Sequence, residues 1–256
     1  MRRPALLGGP RCTRACAALG LVLLVTACVP ASPSTTSPDG TTTDSATPAV
    51  SPSPGPAAPT PAPEGPPSGW KTFTNTSGDL SFDYPVGWTV KDPGGALTGD
   101  FVDVLNPAAT LVAGLRTNIV TGSECRDKSP YEVYDAAPML ALAEAGGADG
   151  GVPRYVFESR GADTGTVATQ STVAAFGITM LPEESGDTAC PMFHLFLWPP
   201  SGAFFGGTYN PESNQTPGDP SLPYLEKARL YASTPEYRDI RTMITSLRPA
   251  IGTADK

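Results

Sequence analysis

The sequence predicts an α+β fold in which helices pack on both faces of a mainly antiparallel sheet, an αβα sandwich. Three observations support this prediction. Short runs of alternating apolar and polar residues are separated by turn residues, which is typical of hairpins. The run from Met192 to Trp198 is apolar on both faces, so other layers should cover both sides of this strand. An apolar stripe at helical spacing closes the chain and indicates an amphipathic helix.

Alternating residues place the strands in order along the chain. The first two, at 71–76 and 80–84, flank the turn Ser77-Gly78-Asp79, and Trp88 and Val90 begin a third. The turn residues Pro199-Pro200-Ser201-Gly202 join the last two strands into a hairpin. The other predicted strands are 101–105, 110–120, 154–159, 167–181 with an interruption near Gly177, 192–198 and 203–209.

Two helices are predicted from their starting signals. Ser233 or Thr234 caps the closing helix and Pro235 lies in its first turn, where the missing N–H costs nothing. Its apolar stripe consists of Tyr237, Ile240, Met243, Ile244 and Leu247. The capping box Ser129-Pro130-Tyr131-Glu132 predicts an earlier helix. Pro138 breaks or kinks that helix, and 139–145 could be helix or strand.

Residues 1–27 have the features of a bacterial lipoprotein signal peptide. Four arginines precede an apolar core of thirteen residues, 15–27, too short for the ~20 residues of a spanning helix. The core ends in Val25-Thr26-Ala27-Cys28, a lipobox in which Cys28 accepts the acyl-bearing lipid and becomes the mature N-terminus. The alternatives are ordinary signal cleavage at another small-residue site, for instance after Ala31, and an uncleaved anchor.

Composition divides the rest of the chain. Residues 29–68 hold 12 prolines and 14 Ser or Thr without any Lys, Arg or aromatic residue, so we predict that the lipidated Cys28 begins a disordered linker over 28–68. Residues 69–250 are predicted to form a single globular domain and 251–256 a disordered tail. Residues 69–256 carry 13 Lys or Arg and 22 Asp or Glu, a formal charge of −9, which argues against nucleic acid as a partner.

Five cysteines are present, of which Cys12 and Cys16 leave with the signal peptide and Cys28 takes the lipid. The remaining two, Cys125 and Cys190, predict one disulfide in an exported domain. Two separate buried thiols are the alternative.

Two motifs resemble a known family. The stretch Leu80–Trp88 is similar to the strand–Pro–Gly–Trp signature of PsbP-like domains, and the closing helix through Met243–Arg248 is similar to their C-terminal helix. With a lipobox and a Pro/Ser/Thr tether, the chain resembles the LpqN-like lipoproteins of Gram-positive envelopes. The resemblance implies an antiparallel sheet between helices and a binding or scaffolding role without catalysis. Residues 121–190 match no part of this pattern.

The chain lacks the residue patterns of several enzyme classes, and we predict no catalytic, cofactor-binding or metal-binding residues. The single histidine, His194, excludes sites that need two, and we expect a hydrogen-bonded core residue there rather than a catalytic base. The Ser-x-x-Lys match at Ser68–Lys71 lies at the linker boundary and is attributed to chance. The Gly146–Gly151 run lacks the Lys of a phosphate loop. Residues 210–221 offer alternate oxygens but lack the glycine and final acid of a calcium loop.

The sequence therefore predicts a non-catalytic binding or scaffolding domain tethered outside the cytoplasmic membrane. Its predicted partners are the outer leaflet, through the lipid at Cys28, and an envelope component, a lipid or an exported protein. One alternative is an extracytoplasmic hydrolase that acts on envelope polysaccharide with two carboxylates, and another is a structural lipoprotein without a ligand. The loop 210–223 could rim a groove beside the Phe204/Phe205 hairpin or be a solvated connection.

Overall fold

The computed structural model describes residues 65–92, 98–122, 124–143, 151–162 and 165–250. All of them belong to one unit of the chain, Pro61–Lys256. The predicted signal peptide 1–27, the lipidated Cys28, the linker up to residue 64 and the tail 251–256 lie outside the described residues. Most of the predicted Gly146–Gly151 loop lies outside them as well.

Strands dominate the described residues, and the three helices are short. The strands are β1 (Trp70–Thr74), β2 (Leu80–Pro85), β3 (Thr89–Lys91), β4 (Phe101–Leu105), β5 (Leu111–Ile119), β6 (Ser129–Pro138), β7 (Arg154–Arg160), β8 (Val173–Thr179), β9 (Thr188–Ala189), β10 (Phe196–Trp198), β11 (Ser201–Thr208) and β12 (Arg248–Pro249). The helices are α1 (Leu140–Ala143), α2 (Tyr224–Tyr231) and α3 (Pro235–Thr245).

These strands form two sheets. The larger has nine strands in the order β3-β4-β5-β11-β8-β7-β6-β9, with β10 paired to β11, and the smaller has the order β1-β2-β12. Neighbouring strands run antiparallel throughout both sheets. The α+β class and the mainly antiparallel sheet are thus confirmed.

One face of the nine-stranded sheet, which we call the inner face, carries the core. Helix α3 packs here through Tyr237, whose ring centroid lies 5.0 Å from that of Phe157. Helix α2 adds Tyr231, 6.4 Å from the same phenylalanine ring. The small sheet covers the rest through Phe82, whose ring lies 4.9 Å from that of Phe205. Aromatic packing therefore holds both helices and the small sheet against the same face.

The opposite face, the outer face, differs from the predicted αβα layering. Among the described residues no helix covers it, and the segment 180–195 lies on β6, β7 and β8 instead. Side chains of the outer face bind the backbone of this segment: Arg160 Nε donates to the carbonyl of Cys190 at 2.6 Å and Thr179 Oγ1 to that of Phe193 at 2.9 Å. The run 192–198 belongs to this covering segment and to the short β10, not to a long central strand. Phe196 and Trp198 are buried there, whereas Leu197 is 47% exposed. The central position belongs to β11.

Several predicted elements also differ from the structure. The capping box at Ser129 begins a strand, β6, because this segment pairs in register with β7. The predicted strand 167–181 shrinks to β8, which continues through Gly177 without interruption. The undecided segment 139–145 contains α1. Helix α2 was not predicted, although Leu225, Ala228 and Tyr231 share its buried side at helical spacing.

Other predictions are confirmed. Strand β4 has the predicted bounds, and the first two strands pair across the turn at residues 77–79. Helix α3 begins with Thr234 as its N-cap, and the Thr234 hydroxyl accepts a hydrogen bond from the backbone N–H of Tyr237 at 3.1 Å. Cys125 and Cys190 form the predicted disulfide, with their Cα atoms 5.2 Å apart. The bond ties the loop before β6 to the covering segment.

Candidate functional site

The part of the outer face that segment 180–195 leaves uncovered forms an open groove of about 770 Å³. We call it the outer-face groove. Its floor is formed by β5 and β11, which pair antiparallel through Gly114 and Gly206. The lining residues include Leu111, Gly114, Arg116, Val167, Phe204, Gly206, Asn210, Glu212 and Ser213.

A row of three glycines crosses the outer face of the sheet, and two of them, Gly114 and Gly206, line the groove. Gly114, Gly206 and Gly177 are register partners on the adjacent strands β5, β11 and β8. Strand register places all three on the outer face, since their neighbours Leu115, Phe205 and Phe176 are buried on the inner face. A Cβ at Gly114 would lie 3.2 Å from Arg116 Nη1, and a Cβ at Gly177 would lie 3.0 Å from His194 Nδ1. The absence of side chains at these two glycines therefore lets Arg116 and His194 lie close to the sheet.

The walls of the groove combine apolar and polar groups. Leu111 and Val167 expose 57% and 50% of their surface, and Phe204 is the register partner of Arg116 on the neighbouring strand. Arg116 is fixed by an ion pair with Asp103 on β4. Its guanidinium also lies 5.7 Å from the ring centroid of Phe101. Its Nη1 donates to the carbonyls of Val102 and Leu115 at 2.6 and 2.9 Å, so the guanidinium is held against the sheet.

Two turns border the groove, and we call them the rim turns. The first, residues 106–110, joins β4 to β5, and its end is closed by a hydrogen bond from Asn106 N to the carbonyl of Thr110 at 3.0 Å. The second, residues 210–214, follows β11, and Asn214 N donates to the carbonyl of Asn210 at 2.8 Å. Of the loop 210–223, which could rim a groove or be a solvated connection, Asn210, Glu212 and Ser213 line the groove together with Phe204, and 214–223 does not contribute to the lining. Phe205, in contrast, belongs to the core.

His194 lies at the far side of the glycine row, on the outer face of Gly177. It is 8% exposed, and its Nε2 lies 2.9 Å from Glu158 Oε1. Arg160 Nη1 donates to the other oxygen of Glu158 at 3.0 Å. The expectation of a hydrogen-bonded core histidine is confirmed. Together the three side chains attach the covering segment to β7.

The pKa of Glu158 is lowered from its ordinary value of 4.5. Burial by itself would raise this pKa, but the hydrogen bond and charge of His194, together with the charge and hydrogen bond of Arg160, outweigh burial. A carboxylate whose pKa is lower in the folded state stabilises the fold above its unfolded pKa, and this stabilisation is lost as the pH falls through the folded value.

We therefore expect Glu158→Gln to be less stable than the wild type at neutral pH and the difference to shrink below about pH 4. Denaturant unfolding of both proteins between about pH 7 and pH 3 measures this difference. Glu124→Gln serves as the control, because the Glu124 side chain is 75% exposed and pairs with Arg126 on the surface. A difference for Glu158→Gln that stays constant with pH would contradict the expectation.

A second cleft brings two carboxylates together. Asp79 and Asp100 line it with Trp198 and Pro199, and both accept hydrogen bonds from the Asn75 side-chain amide, at 2.6 and 2.9 Å. Thr117 Oγ1 also donates to Asp100, at 3.0 Å. These contacts order the turn between β1 and β2 and the start of β4. Sequence reasoning did not single out this pair, since the two residues meet only through sheet packing.

The remaining predicted features lie apart from the groove. Ser68 precedes β1, and Lys71 is its second residue. Among the described residues there is no group of three or more His, Cys, Asp or Glu side chains that could hold a metal ion. Within the same ranges, none of the helices has the length and apolar character that crossing a membrane requires.

Comparison with known proteins adds one similarity of fold. No family model matches the chain, and no curated protein matches it. The solution structure of cyanobacterial PsbP (CyanoP) from Synechocystis sp. PCC 6803 is similar to this chain with a TM-score of 0.34 and 11% identity, over 71% of this chain and 92% of that chain. At this TM-score and identity, the likeness assigns neither a family nor a function to the chain.

Proposed function

We propose that the protein is a lipid-anchored binding module of the cell envelope whose outer-face groove takes an extended, uncharged glycan. The observation that carries this proposal is the groove itself. It lies on a stretch of the sheet's outer face that segment 180–195 leaves open, and apolar side chains that the core does not need, Leu111 and Val167, remain exposed in it.

The chemistry of the groove favours a glycan. Sugar rings present apolar faces and a dense edge of hydroxyl groups, and the groove offers both apolar walls and hydrogen-bonding groups from Arg116, Asn210, Glu212 and Ser213. Strands β5 and β11 have paired neighbours on both sides, so a peptide cannot add a strand at the floor. The formal charge of −9 over 69–256 disfavours a polyanionic ligand.

A pair of glutamate substitutions tests the proposal. Val167 on the groove wall and Val152 outside the groove are both 50% exposed, so Val167→Glu and Val152→Glu add the same charge at matched exposure. We expect full-length wild type and Val152→Glu to bind neutral oligosaccharides prepared from the envelope equally. For Val167→Glu we expect a dissociation constant raised at least about tenfold, the equivalent of 1.4 kcal/mol. Isothermal titration calorimetry measures all three.

Two results would reject the proposal that the groove binds a glycan. Equal affinities for all three proteins would place the glycan elsewhere on the surface. Absence of binding by the wild type, together with binding of phospholipid vesicles or of an exported protein, would give the groove a different ligand.

The lipid anchor at Cys28 leads to a separate expectation. Since the leader charge, the length of the apolar core and the terminal cysteine agree with a lipobox, Cys28→Ala should prevent acylation and remove the protein's anchor. Cell fractionation and intact mass measure the outcome. A Cys28→Ala protein that stays in the membrane fraction after its leader has been cleaved would show that the lipid is not the anchor.

The carboxylate pair Asp79 and Asp100 is the observation that favours the second candidate, a polysaccharide hydrolase. Retaining glycosidases place two carboxylates about 5–5.5 Å apart, and these two share one amide donor. Turnover of an envelope glycan that disappears in both Asp79→Asn and Asp100→Asn, while Val167→Glu remains active, would support the hydrolase over the binding module.

A further inference from the structure

The two rim turns of the outer-face groove meet at one carboxylate. Asn106 Nδ2, in the first rim turn, donates to Glu236 Oε2 at 3.0 Å. Asn214 Nδ2, at the end of the second, donates to Glu236 Oε1 at 2.8 Å. Glu236 lies in the first turn of α3, on the inner side of the molecule. A single side chain from another layer thus joins both borders of the groove.

Each asparagine also organises its own turn. Asn106 Oδ1 accepts the backbone N–H groups of Ala108 and Thr110, both at 3.0 Å. Asn214 Oδ1 accepts the backbone N–H of Asn210 at 2.9 Å. In both turns the amide oxygen closes the loop and the amide nitrogen points to the carboxylate. The position of each rim turn therefore depends on the same three-part contact: backbone, asparagine and Glu236.

The surroundings hold the carboxylate in place. Asn106 and Asn214 are each 6% exposed, so their hydrogen bonds to an ionised group are shielded from water. Tyr231 OH, on α2, donates to Glu236 Oε1 at 2.7 Å, and Thr234 caps the helix on which Glu236 lies. A negative side chain in the first turn is also favoured by the helix dipole.

We infer that Glu236 is a positioning residue for the outer-face groove: its carboxylate sets the spacing between the rim turns 106–110 and 210–214 and so between the walls that would contact a ligand. The effect of this spacing on ligand binding rests on the proposed function. The link between the two turns is independent of any ligand.

An exchange of donor and acceptor tests the link. In Glu236→Gln, the remaining oxygen stays with Asn214 and Tyr231, so the new NH2 group faces the NH2 group of Asn106. In Asn106→Asp, two carboxylates face each other. Each single change should disrupt the first rim turn. The double variant Glu236→Gln/Asn106→Asp restores one donor and one acceptor at this contact and should restore the turn.

Amide hydrogen exchange, followed by NMR on the full-length protein, measures the turn. We expect the amides of Ala108 and Thr110 to exchange at least about tenfold faster in each single variant, corresponding to 1.4 kcal/mol. The double variant should return to the wild-type rate. Glu226→Gln is the control and should leave the exchange of both amides unchanged, because Glu226 is a half-exposed glutamate of α2 that pairs with Arg229. If a single variant fails to fold, recovery of folding in the double variant is the equivalent supporting result.

Binding of the same neutral envelope oligosaccharides gives the second readout. The single variants should bind more weakly than the wild type and the double variant should bind as the wild type does. The positioning role would be overturned if the Ala108 and Thr110 amides of Glu236→Gln exchanged at the wild-type rate. It would also be overturned if these amides exchanged as fast in the double variant as in the single variants. A wild type that binds no glycan but shows the exchange pattern would reject the proposed ligand and leave the role of Glu236 standing.

Discussion

Replacing Cys125 and Cys190 together with serine is expected to lower the free energy of unfolding by about 4 kcal/mol. The disulfide joins residues 65 positions apart, and in the chain-entropy model a closed loop of that length restricts the unfolded chain by about this amount. It also fixes one end of segment 180–195 to the loop before β6. Other contacts of that segment include hydrogen bonds from side chains to its backbone, the His194–Glu158 contact and the pairing of β9 with β6.

Denaturant unfolding measures this expectation on three samples: oxidised wild type, reduced wild type and Cys125→Ser/Cys190→Ser. The reduced wild type and the double variant should have the same free energy of unfolding, because both lack the disulfide. A loss of less than about 1 kcal/mol in the double variant would mean that the unfolded chain is already compact around these residues. Thiol counting on the oxidised wild type, with a result of no free thiol at the two positions, is the control.

The second large effect is expected at Gly206, in the floor of the outer-face groove. A Cβ at this position would overlap the carbonyl oxygen of Phe176 and lie 2.8 Å from the Cα of Gly177. Both neighbours are backbone atoms of β8, which cannot rotate away as a side chain could. We expect Gly206→Ala to lower the free energy of unfolding by about 3 kcal/mol, at the upper end of overpacking effects.

The matched control for Gly206→Ala is Gly122→Ala, because a Cβ at Gly122 meets nothing within 4 Å. Its free energy of unfolding should stay within about 0.5 kcal/mol of the wild type, as for most surface changes. Chemical denaturation of the three proteins at one pH supplies the comparison. If Gly206→Ala and Gly122→Ala were equally stable, β8 and β11 would have room to separate, and the close approach at the groove floor would not be a constraint.

Much of the fold could be predicted where the signal is local. The Thr234-Pro235 start of α3 and the turn before Leu80 depend on residues that are neighbours in sequence. The capping box at Ser129 is equally local, yet its segment forms β6. There the pairing of seven residues with β7 and the packing of Arg160 over the Tyr131 ring outweigh a helix signal of a few residues.

The run 192–198 illustrates a different limit. Its apolar residues on both faces predicted burial, and Phe196 and Trp198 are indeed buried. An apolar run does not reveal whether a strand or an irregular covering segment will bury it, because both satisfy the same hydrophobic requirement. Only β10 is strand, and the residues around His194 lie on the sheet as part of segment 180–195.

The candidate site was predictable only in part. The loop after Asn210 and the side chain of Phe204 could be singled out from composition and hairpin position. The glycine row could not, because Gly114, Gly177 and Gly206 become neighbours only through the strand register. Nor could the role of Glu236, whose partner Asn106 is 130 residues away. Contacts of this kind are set by the tertiary fold rather than by sequence spacing.

The two ends of the nine-stranded sheet affect how crowded copies of the protein behave. The outermost strands, β3 and β9, have only three and two residues, and Lys91 on β3 is exposed. Unpaired strand edges are templates for intermolecular pairing, and short edges that carry a lysine resist it. If copies are concentrated side by side on a membrane, these edges offer too few backbone groups for one sheet to continue into the next. The protein could thus reach a high surface density without polymerising.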